Sequence, residues 1–241
     1  MNHSVLLGVI AIAITIICFY CYHFLTAFGI SSRLFWSLFP EYMPPTARNF
    51  ISAKVVGFIF LGFLPFVVFV LLYFIPIEEL GFSFGETGRY WYLAVIVPLF
   101  FILFSFLASQ NSKNREVSPQ MRLHIWTPGY LLISFTGWGA YLLAYEFLFR
   151  GVLWFSCFNA FGFWPAFVIN LALYSSLHIP KGFKETMGAI PFGALVCFTT
   201  WLTGSFYIAF LTHYSMAASM EFFSVYFNPE MKFIRRKNQG E

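Results

Sequence analysis

Charge is what this 241-residue chain has least of. Lys, Arg, Asp and Glu make up only 10% of it, while 59% is hydrophobic and 23% aromatic, and the mean hydropathy is +0.74. A soluble domain is closer to 45–50% apolar, so the scarcity of charge excludes one and points to an integral membrane protein. Alternation with a period of two is also missing, which argues against a membrane β-barrel. The apolar amino-terminal segment lacks a positive leader and a small-residue cleavage site, so we read it as a retained first span. Cysteine is scarce too. All four fall in apolar runs, and the Cys18-x-x-Cys21 pair inside the first has no partner residues for redox or zinc chemistry.

Several runs reach the roughly 18 to 20 residues that cross a bilayer as a helix. Hydropathy and loop chemistry predict an all-α, polytopic transmembrane bundle forming one domain over 1–241, with about seven spans: 5–25, 55–76, 90–108, 129–158, 164–179, 186–203 and 205–227. A break is expected in the fourth near Gly137 and Gly139. The connecting segments alternate in charge. Arg33, Arg48 and Lys54 follow the first span, Glu78, Glu79 and Glu86 with Arg89 follow the second, and Lys113, Arg115 and Arg122 follow the third. Lys181 and Lys184 follow the fifth, and Lys232, Arg235, Arg236 and Lys237 form a basic tail. The positive-inside rule then predicts a multi-pass protein of the plasma (inner) membrane, amino terminus outside and carboxyl terminus cytoplasmic. The net charge of +4 is mostly this topology signal and implies no nucleic-acid partner.

Ionisable groups inside spans cost roughly 2.5–3.5 kcal/mol each on the insertion scale and need a reason. Those left inside these spans are Glu146, Arg150, His178, His213 and Glu221. Glu146 and Arg150 lie one helical turn apart and share a face. At ~1.5 Å per residue, Glu146 and His178 both lie roughly 22–26 Å from the turn near residue 161, whereas His213 lies roughly 13 Å from the turn near Gly204. A cluster is permitted, with His213 offset.

These residues are similar to the motifs of the CAAX protease and bacteriocin-processing (Abi) family of intramembrane glutamate proteases. The run "YEFLFRG" resembles its first motif, Glu-Glu-x-x-x-Arg-Gly, through Glu146, Arg150 and Gly151. The run "YSSLH" resembles the second through Tyr174 and His178. "LTGSFYIAFLTHYSMA" resembles the third, with His213 in the histidine place. The resemblance covers roughly 129–220. Tyr145 stands where the family's first Glu would activate water, and Ala217 where Asn or Asp would follow the last His. Ser215 and Asn170 are the nearby polar candidates.

The resemblance implies an endopeptidase acting on membrane-associated or lipidated, CAAX-like substrates, without a cofactor. Burial disfavours an ionised carboxylate and a neighbouring guanidinium favours it. Glu146 beside Arg150 is thus expected to stay ionised and act as general base on a water held by His178, with His213 stabilising the oxyanion. Arg150, Tyr145 and Tyr174 would support them. No His-Glu-x-x-His occurs, and no metal is expected. Two other readings stand beside this one. A silent relative would act as a scaffold for a cell-envelope protein partner or in bacteriocin self-immunity. A transporter or proton relay would use Glu146, His178, His213 and Glu221, although no inverted repeat is evident. In the structural reading Glu146 and Arg150 only neutralise each other between helices.

Overall fold

The computed structural model describes residues 2–234, and Arg235, Arg236 and Lys237 of the basic tail lie outside them. Seven main helices follow in order: α1 His3–Ala27, α2 Pro45–Leu72, α3 Leu93–Ser109, α4 Pro128–Phe161, α5 Phe163–Ser176, α6 Phe183–Thr203 and α7 Tyr207–Phe227. Among the described residues, α1, α2, α4 and α6 are long and apolar enough to cross a membrane alone. The chain is a helical membrane bundle, as its composition predicts.

Contacts fix the helix directions. Gly8 of α1 meets Ala160 and Phe161 at the far end of α4, while Tyr22 stacks near Tyr141, so these two helices are antiparallel. Along α2, Phe50 meets Gly137, Gly57 meets Tyr141 and Gly62 meets Ala144, so α2 and α4 run parallel. Glycines at these points receive the Phe50 and Tyr141 rings and, at Gly62, let the backbones approach, which is how helices pack where no hydrophobic force joins them. The Ser105 hydroxyl of α3 donates to the Met216 carbonyl of α7 at 3.2 Å, and Phe106 meets Phe223. The outer face of α3 presents Ile96, Phe100, Leu103 and Leu107, all more than half exposed, as a helical stripe suited to lipid.

This alternation sorts the charges. One end carries Glu78, Glu79, Glu86 and Arg89, and the other carries Arg33, Arg48, Lys113, Arg115, Arg122, Lys181, Lys184 and Lys232 in excess over Glu41, Glu116, Glu185 and Glu230. A small second core closes the basic end, built from Ala47, Phe50, Met121, Leu123, Trp126 and Val225. Over it a two-residue strand, β1 (Ile125–Trp126), pairs in parallel with β2 (Lys232–Phe233).

Three expectations need correction. The second span begins at Pro45 rather than near 55, so Lys54 is no loop charge. It is buried in the helix, its ammonium 3.1 Å from the Trp138 ring centroid and 4.4 Å from that of Tyr141. The fourth span does not break at Gly137 or Gly139. Those glycines make room for Phe50 and Tyr214, and the helix instead widens to i→i+5 turns over Phe147–Leu153. The fifth span is shorter than predicted. α5 stops at Ser176, and a tight turn over Ile179–Lys181 follows.

Candidate active site

The widened stretch of α4 begins one residue after Glu146 and contains Arg150 and Gly151. Wide turns of this kind recur at functional sites because they redirect side chains that a regular helix would space evenly. Here they leave Glu146 and Arg150 both wholly buried, with Arg150 Nη1 3.2 Å from Glu146 Oε2. The guanidinium carbon lies 4.2 Å from the centroid of the Tyr174 ring, a cation–π contact in a desolvated setting. Gly151 is required by close approach: a Cβ there would meet the Leu80 carbonyl oxygen at 2.9 Å.

The other carboxylate oxygen, Glu146 Oε1, lies 2.6 Å from His213 Nδ1. A carboxylate can only accept, so Nδ1 carries the proton and donates it, and Nε2 is the ring nitrogen that Glu146 does not take up. The His213 ring is packed edge-on by Tyr145 at 5.7 Å and by Phe192 at 5.1 Å. His178 is oriented in the same manner. Its Nδ1 donates to the Tyr174 carbonyl at 2.9 Å, which again leaves Nε2 open, and its ring lies 4.9 Å from that of Tyr174. Tyr174 thus touches Arg150, Tyr145, Phe192 and His178. Both histidines are partly exposed, His213 by 12% of its side chain, while the ion pair behind them has no exposure at all.

The structure therefore brings Glu146, Arg150, His213, Tyr145 and Tyr174 into direct contact, with His178 joined through Tyr174. The depth offset estimated for His213 does not keep it from the cluster. His213 reaches Glu146 directly despite that offset, and the start of α7 is tied to the loop before α3, where the Ser205 hydroxyl donates to the Gly81 carbonyl.

The geometry departs from expectation at two residues. Glu146 is wholly buried, with Oε1 taken by His213 rather than turned to His178, and Oε2 in ion-pair contact with Arg150 but without a hydrogen-bond partner among the described residues. Asn170 is occupied as a strut, its amide donating to the Phe149 carbonyl at 2.6 Å and its oxygen accepting from Cys197 at 3.1 Å. Ala217, as its sequence requires, brings no polar group. Phe192 and Cys197 belong to the site and were missed, since apolar residues in an apolar helix give no signal. Glu221 stands apart from it, at the basic end. Among the described residues, no group of three or more His, Cys, Asp or Glu side chains is placed to hold a metal ion.

Comparison with curated proteins and with solved structures gives no match. Residues 127–219, the stretch that supplies Glu146, Arg150, Tyr174, His178 and His213, match the family model described as Rce1-like, type II CAAX prenyl endopeptidase.

Proposed function

We propose that the protein is an intramembrane endopeptidase that hydrolyses peptide bonds of membrane-associated or lipidated, CAAX-like substrates. The observation that carries this reading is the 2.6 Å contact between Glu146 and His213, backed by Arg150, within the segment that matches the Rce1-like family. A buried carboxylate holding one imidazole nitrogen leaves the other as a base whose protonated form it stabilises. Glu146 then acts through His213. His213 Nε2 takes a proton from water as the oxygen attacks the carbonyl carbon, and the imidazolium returns that proton to the leaving nitrogen. His178 Nε2 accepts the water's second O–H and orients it. With Ala217 in place of a polar donor, the oxyanion depends on the His213 imidazolium for stabilisation.

The test is mass spectrometry of membrane proteomes from cells expressing wild type, His213→Ala, His178→Ala or Glu146→Gln. The expected result is a set of new termini that appears with wild type and is lost in all three variants. Identical fragment sets in all four would refute hydrolysis. They would favour a silent scaffold, a reading that draws its support from Tyr145, Ala217 and the double engagement of Glu146.

A further inference from the structure

Two buried ionisable groups outside the matched segment, Lys54 and Glu221, have no part in the chemistry above. Their exposures are 4% and 3%. Glu221 Oε1 accepts the Gln120 backbone N–H at 2.8 Å, and Oε2 accepts the Ser134 hydroxyl at 3.2 Å. Gln120 belongs to the segment joining α3 to α4, and Ser134 lies on α4 itself. Trp138, one turn further along α4, is the next side chain near Glu221, and Lys54 lies over its ring.

Placed beside the candidate site, this makes a reciprocal clasp between two antiparallel helices. From α4, Glu146 reaches across to His213 of α7. From α7, Glu221 reaches back to Ser134 of α4, two turns from His213, or ~12 Å at 1.5 Å per residue. Two clasps, eight residues apart on α7 and twelve on α4, fix both the rise and the rotation of α7 against α4. A slip of one residue shifts a helix by ~1.5 Å and turns it by ~100°, which separates both pairs at once. The Tyr214 ring meets Gly139 between the clasps and offers no polar hold.

We propose that Glu221 is a positioning residue that sets the register of the helix bearing His213. The choice of a carboxylate follows from its two acceptors: Glu221 holds α4 with one oxygen and the 110–127 segment with the other, which an apolar residue cannot do. The proposal rests on the role given to His213 above, but its test reads geometry alone.

A short N–H···O⁻ bond such as that from His213 to Glu146 gives a low-field proton resonance, which can be observed in ¹⁵N-histidine-labelled protein and assigned by its loss in His213→Ala. Wild type and Glu221→Gln, which keeps an acceptor oxygen, should show it. Glu221→Leu should lose it while still unfolding cooperatively in detergent, and its kcat should fall tenfold or more with little change in KM. Ser134→Ala removes one clasp bond only and should broaden the resonance, so it decides the matter if Glu221→Leu does not fold. A resonance unchanged in Ser134→Ala and in any folded Glu221→Leu overturns the proposal. A wild type that shows the resonance but cleaves nothing overturns the peptidase reading and leaves this one standing.

Discussion

At the residue scale, the Glu146–Arg150 pair sets the terms for everything around it. Neither side chain has any exposure, so each is tolerated only because the other is there. Removing one partner of a buried pair typically costs about 3–5 kcal/mol, because the remaining charge is stranded. Glu146→Leu should therefore lower the unfolding temperature in detergent far more than the double variant Glu146→Leu/Arg150→Leu. A single variant as stable as wild type would show that Arg150 has found another acceptor. Glu146→Gln should also slow hydrolysis by roughly 10²–10⁴-fold, the usual scale of a lost general acid–base element, with His213 still folded in place. Tyr145 matters here as a wall. Its ring stacks on Phe149 at 4.7 Å and meets His213 edge-on, so Tyr145→Phe should retain most activity while Tyr145→Ala should not.

At the element scale, α4 is the organiser. Its widened turns and the loop residue Leu80 meet at Gly151, where even one added carbon is crowded by a backbone oxygen at 2.9 Å. Gly151→Ala should destabilise by about 1–3 kcal/mol, the range for overpacking a closed core, and thermal unfolding would measure it. A neutral outcome would mean that the Leu80 segment yields easily. Much of this architecture was legible in the sequence. Hydropathy placed the main helices to within a few residues at most ends, and the one-turn spacing of Glu146 and Arg150 marked the site.

What was not legible depended on contacts. Lys54 reads as a loop charge because nothing in the local sequence announces that Trp138 and Tyr141, more than eighty residues away, will form its cage. Gly137 and Gly139 read as a break because glycine weakens an isolated helix, whereas here they receive neighbouring rings. The offset of His213 came from counting residues along straight helices, whereas the long Glu146 side chain and the packing of α7 on α4 bring the two groups to 2.6 Å.

At the scale of the whole molecule, the sorting of charge to opposite ends predicts orientation. A reporter fused to the carboxyl terminus should be cytoplasmic, and one inserted near Glu86 should be outside. The reverse pattern would place the acidic end in the cytoplasm and invert the topology.

The brevity of α5 bears on the membrane itself. Fourteen residues rise only ~21 Å, against a hydrocarbon layer ~30 Å thick. On this flank the turn after Ser176, with His178 at its start and Lys181 beyond, ends well short of where a flat leaflet would end. Thinning of the lipid beside α5 is one way in which such hydrophobic mismatch is met. The dimple that results lowers headgroups and their water toward the open nitrogen of His178. Acyl-chain length then becomes a variable that the surrounding bilayer sets and the protein reads. In vesicles of graded chain length, turnover should rise as the lipids shorten.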